Sequence, residues 1–330
     1  MSEFALQRPL IKRRYTLEVR QQMAWHWQAL ILAGSMILGL LISGTILVVA
    51  GVPAGELLNE FVILTLFDSQ SLTSVLFQAS PLIMVGLAGC LAFRAKFWNL
   101  GLEGQMIFGA IGATAITMWD IGAPGMRLPL MIAAAMACGL LWAVAPVLLR
   151  LKLQVNEIVS TLMLNYIAIN VLLHLMYGAW KDPKDAFPYS PKYESFELLP
   201  ELGNGLSLSI PIAIVIALLV LWFVNISRAG LYLRFVDKSP KVASAVGVPV
   251  AKTILMAVLF SGALAGLAGL MVAAGQEGRL THSFYVGYGF SGILIAFLAR
   301  NNPIAATCAA LLIATLFVAG RSLQVFYQIP

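Results

Sequence analysis

Residues 253–275 read TILMAVLFSGALAGLAGLMVAAG, twenty-three residues without a charge, bounded by Lys252 on one side and Gln276-Glu277 on the other. A helix needs about 20 mainly apolar residues to cross a hydrocarbon core, so this stretch reads as a membrane span. Inside it, Gly262, Gly266 and Gly269 have the small-x-x-x-small spacing that lets two helices pack closely. Working outward, eight more stretches qualify: roughly 29–51, 72–93, 99–119, 128–149, 156–178, 208–226, 284–299 and 303–320. Of these, 72–93 and 284–299 carry breakers or are short, which leaves room for broken or re-entrant segments. Composition agrees, because only 11% of the 330 residues are charged and 60% are hydrophobic, whereas soluble chains carry about 25% charged residues. Mean hydropathy is +0.88. Soluble enzymes, nucleic-acid binders and disordered scaffolds are thereby excluded, and an all-α polytopic membrane protein with about 9–10 transmembrane helices is expected.

The direction of the chain follows from its basic residues, which concentrate on the cytoplasmic side of membrane proteins. With the N-terminus in the cytoplasm, 15 of the 21 Lys and Arg residues fall inside, while ten of the 15 acids fall outside. Two acids, Glu103 and Glu157, lie within predicted spans. The net charge of +6 is therefore a topological signature that calls for no nucleic-acid partner. Residues 1–28 form a cytoplasmic N-terminal segment and 29–330 a single transmembrane domain. Its longer connections are an outer loop, 179–207, and a cytoplasmic loop, 227–252. The first apolar run is too long for a signal-peptide core and is read as a retained span. Nine spans leave the C-terminus outside, unless a tenth follows Pro330.

Chemistry-bearing motifs are sparse. No Gly-Lys dipeptide occurs, so the chain has no phosphate-binding P-loop. His26, His174 and His282 lack metal-ligand spacing, and no catalytic set or metal site is expected. Cys90, Cys138 and Cys308 fall in apolar runs and read as buried, inert thiols. Both intramembrane acids sit in first helical turns rather than deep in a span, so no ion-coupling machinery is visible. The alternative of a lone ion-coupled secondary carrier would need such groups deep in its spans.

In the 227–252 loop, Pro240 to Val246 reads as a short helix started by Ser239-Pro240 and closed by Gly247. Its small residues Ala243, Ser244 and Ala245 would let a partner surface approach. The other reading is an ordinary interfacial turn. The residues Gly230, Arg234, Ser239, Pro240, Ala243, Gly247 and Val248 resemble the coupling loop of ABC-importer permeases. Three further segments sharpen the likeness. Phe97 to Gln105 (FWNLGLEGQ), Asn156 to Ala168 (NEIVSTLMLNYIA) and Gly287 to Pro303 look like motifs of permeases in the branched-chain amino acid/ribose superfamily, nearest its general nucleoside branch.

That resemblance implies a type II-like permease bundle in a bacterial inner membrane. It implies two ATP-binding cassette subunits that carry the ATP and Mg, no cofactor on this chain, and no enzymatic role for it. It further implies a second permease chain, as a hetero- or homodimer, and an extracytoplasmic solute-binding protein. The solute would be a nucleoside or a related purine or pyrimidine, with ribose, another simple sugar or a branched-chain amino acid as alternatives.

The residues supply their own reading of a pathway. Tyr166, Asn170, His174 and Tyr177 follow spacings of 4, 4 and 3 and so share one helical face. Aromatic and amide groups there suit a nucleobase, and Asn165 with Thr161 forms an adjacent polar row. Hydrogen bonding between neighbouring helices is the competing role. Tyr288, with Tyr285 and Phe290 beside Gly287 and Gly289, is either a broken-helix solute contact or part of an interfacial belt. Asn99, Glu103, Gln105 and Glu157 are an inner gate or, equally, helix-start caps favoured by the dipole.

Overall fold

The computed structural model describes residues 24–59, 63, 65–203 and 206–327; the expected cytoplasmic segment lies largely outside them. They divide into two compact units, one ending at Leu57 and one beginning at Leu58. In the first, α1 (Trp25–Val49) is a 25-residue apolar helix; the short α2 (Ala54–Leu58) follows it in sequence and has its last residue in the second unit. Leu30, Leu38, Leu41 and Ile46 of α1 are exposed, as lipid-facing residues are.

The second unit is a helical bundle: α3 (Thr65–Phe67), α4 (Ser69–Arg94), α5 (Leu102–Met118), α6 (Pro124–Leu153), α7 (Glu157–Tyr177), α8 (Ser209–Ile226), α9 (Arg228–Lys238), α10 (Pro240–Ala245), α11 (Val250–Leu270), α12 (Tyr288–Leu298) and α13 (Pro303–Tyr327). Beyond Leu270, α11 continues as a π-wound segment, Met271–Glu277, that ends at Gly278. Among the described residues the β-pairing consists of two isolated bridges, Tyr189–Thr281 and Glu201–Ser207. The protein is an all-α, multi-pass membrane protein.

Seven described helices are long and apolar enough to cross a membrane. The expected spans at 99–119 and 284–299 are shorter, 17 residues in α5 and 11 in α12. α12 is the shortened segment anticipated at 284–299, entered through Gly287 at φ +85°. The other suspected break does not occur, because α4 runs unbroken through Pro81. Proline frees the carbonyl four residues earlier. Here that carbonyl, of Phe77, accepts from Ser80 Oγ at 2.9 Å and from Gln276 Nε2 at 3.2 Å. A polar group orphaned in the bilayer is thus satisfied from the π-wound segment across the bundle.

α11 is the hub, packed against α4, α5 and α6. Its glycines allow this. A Cβ on Gly262 would lie 2.6 Å from the Gly139 carbonyl and 2.7 Å from Ala143 Cβ of α6, while Gly269 faces Met106 of α5. Backbones meet directly where the sequence places small residues. Of the cysteines, Cys90 is buried as expected, but Cys308 is exposed on α13. An apolar run marks a membrane helix without saying which face is covered.

Candidate functional site

At the start of α5 the polar residues tie together. Asn99 Nδ2 donates to Gln105 Oε1 at 3.0 Å and to Ser261 Oγ of α11 at 3.2 Å. Gln105 Nε2 donates back to Asn99 Oδ1 at 3.1 Å, and the same oxygen accepts from Gly101 N at 3.1 Å. All three side chains are buried. Asn99 is therefore not the cap of α5 that its position predicts, since Gly101 holds that place and lacks a side chain. The cap comes from another helix. Asn165 Oδ1 accepts from Gly104 N at 2.8 Å, and Asn165 Nδ2 donates to Leu100 O at 2.8 Å. Asn165 is thus turned away from the face expected to line a pathway, and Thr161 bonds back to Glu157 O at 2.6 Å.

Glu157 sits in the first turn of α7, beside the cap Asn156, whose Oδ1 accepts from Ile158 N at 2.9 Å. Arg150 Nε lies 3.3 Å from its Oε2. Glu103 is buried in the first turn of α5. Gly289 of α12 comes so near that a Cβ there would sit 2.6 Å from the Glu103 nitrogen.

The stripe on α7 shares one face, and that face points out of the bundle. Tyr166 and Tyr177 are 64% and 66% exposed, and Asn170 and His174 are exposed beside them. Asn170 Nδ2 donates to Tyr166 O at 2.8 Å. A shallow hollow of ≈ 480 Å³ lies along Met163, Tyr166, Ile167, Asn170 and His174. The predicted pathway face is thus not enclosed by the described residues. Tyr288, by contrast, is buried, its hydroxyl donating to Gln276 Oε1 at 2.7 Å, near Gln78 of α4.

In the 227–252 loop the structure explains each residue of the pattern. Gly230 lets α9 turn against the end of α8, where a side chain would strike the Phe223 and Val224 carbonyls. One turn on, Arg234 Nη2 donates to Asn225 O at 2.7 Å. Ser239 Oγ accepts from Val242 N, Pro240 occupies the first turn, and Gly247 at φ +83° lets Val248 N bond to Ala243 O at 3.0 Å. Ala243 is fully buried in a small core with Val236 and Val248. It therefore cannot offer the close approach to a partner that its size suggested. The exposed side here instead carries Val242 of α10 and Val246 just past its end, 59% and 61% exposed.

Sequence reading missed the tie between the outer loop and the bundle. Arg127 pairs with buried Glu197 at 2.9 Å and with Asp120 at 2.8 Å. Arg279 pairs with Asp185 at 2.6 Å and lies over the Tyr189 ring. Tyr193 Oη and Thr114 Oγ1 are 2.6 Å apart, and burial raises the Tyr193 phenol well above its ordinary pKa. The acids of 179–207 were the available signal, but their partners lie far off in sequence. Among the described residues no cluster of His, Cys, Asp or Glu could hold a metal ion.

Comparison with known proteins matches residues 71–327 to the family described as branched-chain amino acid transport system / permease component. A glucose ABC transporter permease of Haloferax volcanii is 33% identical over 309 residues, covering 90% of this chain and 81% of that protein. A guanosine ABC transporter permease of Bacillus subtilis is 31% identical, covering 77% of this chain and 74% of its own length. A second guanosine permease chain of the same organism is 29% identical, covering 78% and 84%. No solved structure matches.

Proposed function

This chain belongs to the branched-chain amino acid transport system / permease component family of ABC transporters, and from that premise we propose that it moves a nucleoside or a related purine or pyrimidine solute into the cytoplasm. The observation that carries this reading is the outward face of α7. Two tyrosines, an amide and an imidazole stand exposed along a membrane helix, where lipid would favour Leu or Ile. Polar groups in a span are costly unless they meet a cavity or a partner. A second permease chain set against this face would enclose it, so that bases stack on the rings while Asn170 and His174 meet hydroxyls and ring edges. The two guanosine permease chains of one organism support a heterodimeric core.

Two ATPase subunits, holding the ATP and Mg, dock on the cytoplasmic side, with Val242 of α10 and Val246 just past its end as the apolar contact. A solute-binding protein delivers cargo outside. The glucose permease relative favours a second reading, in which the solute is a simple sugar. The deciding experiment is ATP-dependent uptake of labelled guanosine or uridine by the whole system, competed with unlabelled nucleosides, free bases, glucose, ribose and leucine. Competition by nucleosides or bases alone, lost with this chain, is the expected result. Strongest competition by a sugar selects the second reading. Val242→Asp should abolish uptake while the chain still inserts; full uptake in that variant would remove α10 from coupling.

A further inference from the structure

We propose that the hollow between α9 and the first turns of α11 binds an anionic phospholipid. The site is independent of which solute the permease moves. α9 follows α8 with Ser227 alone between them, so it lies at the membrane boundary on the Lys/Arg-rich face. Leu233 and Val236 are buried beneath it, while Leu231, Tyr232 and Phe235 remain exposed, the arrangement of an interfacial helix.

Between α9 and α11 is a hollow of ≈ 420 Å³. Arg228, Tyr232 and Lys252 form its polar rim, and Phe223, Met256 and Phe260 its apolar floor. No carboxylate among the described residues lines it. Among the described residues neither Arg228 nor Lys252 takes part in an ion pair, whereas Lys96, Arg127, Arg150 and Arg279 each face an acid. Two exposed cations over an apolar floor at a bilayer surface are complementary to a phosphate ester on an acyl chain.

The floor also leads somewhere. A second hollow of ≈ 270 Å³ shares Phe223 and Phe260 and continues past Leu219 of α8 to Leu264 of α11. From Lys252 to Leu264 the helix rises about 18 Å, a track deep enough for much of an acyl chain. A free phosphate would use the rim and leave this track without a purpose. That continuity selects a lipid over a soluble anion.

The test uses the full-length chain purified in detergent, exposed to long-chain phosphatidylglycerol, with retained lipid read by native mass spectrometry. Parallel arms contain phosphatidylcholine and inorganic phosphate as competitors. Retained phosphatidylglycerol, displaced by neither competitor, is the expected result. The Arg228→Gln/Lys252→Gln variant should bind about thirtyfold more weakly, the loss expected for two interfacial cations. Ala229→Trp, which fills the hollow without touching either charge, should also lose the lipid. Arg228→Lys/Lys252→Arg should retain it and elute as a single species, separating lost binding from lost folding. Equal retention of phosphatidylcholine, displacement by phosphate, or undiminished retention in the Gln or Trp variants would overturn the proposal. So would lipid retained by the lone chain but expelled by its partner permease, since the face would then be a protein interface.

Discussion

Asn165 and Tyr166 are adjacent on α7, yet they belong to different regions of the molecule. Asn165 is 4% exposed and makes both of its hydrogen bonds to the backbone at the start of α5. Tyr166 is 64% exposed and heads a row of polar groups that the bundle leaves open. Both are polar residues in a span, and sequence spacing leaves each with the same two roles, a pathway lining or a hydrogen bond between helices. The structure separates them. On the inner face polarity closes α5; on the outer face it stays uncovered by the described residues.

The sharpest way to break this contrast is Asn165→Leu. Leucine is apolar and fits a membrane helix, so propensity alone predicts no harm. The structure predicts otherwise, because Gly104 N–H and Leu100 C=O lose their partners, and the branched side chain must enter the space beside Gly104, where Asn165 Oδ1 already sits 2.8 Å from where a Cβ would be. A loss of about 1–3 kcal/mol is expected for two bonds, measured as unfolding of the purified chain in a denaturing detergent. Wild-type stability would return Asn165 to the solute-facing role.

The opposite face should respond in the opposite way. Tyr166→Ala and Tyr177→Ala remove exposed rings, so stability should shift by no more than about 0.5 kcal/mol. Nucleoside uptake should fall about tenfold per ring, since stacking of a base on an aromatic side chain contributes roughly 1–3 kcal/mol. Parallel unfolding and uptake measurements on the same variants check both halves. Variants that lose stability but keep uptake would make this face a packing surface for the second chain and nothing more.

The two faces also mark how far the sequence could be read. Elements with local causes were legible: the uncharged run at 253–275, the Gly262–Gly266–Gly269 packing face, and the short helix from Pro240 with Gly247 behind it. Each follows from neighbours within one or two turns. The cap of α5 was not legible, because its acceptor is Asn165, far along the chain, while the nearer Asn99 turns to Gln105 and Ser261. Periodicity likewise placed Tyr166, Asn170, His174 and Tyr177 on one face but could not say whether that face looked inward. Ala243 shows the same limit: its size invited a partner, and Val236 and Val248 already occupy its surroundings.

The outer loop extends the contrast to a pair whose charges are mutually satisfied. The Asp185 carboxylate accepts from Phe187 N at 3.2 Å and from Arg279 Nη1 at 2.6 Å. The backbone N–H and then the guanidinium hold its pKa below the ordinary value. A carboxylate depressed in the folded state contributes stability that is present above its unfolded pKa and lost as pH falls through the folded one. With an unfolded Asp near 4, the clasp between 179–207 and Arg279 should be constant from about pH 5 to 8 and loosen only below about pH 4. The effect should be the smallest of the three, because the pair is partly exposed to solvent. Protease accessibility of the loop across this range, in wild type and in Asp185→Asn, is the measurement. The variant should lose the pH step and stay slightly more open throughout. A step near pH 6 that survives in Asp185→Asn would show that another group fastens the loop, and that satisfied pairing at Asp185 is a consequence of its closure and not a cause.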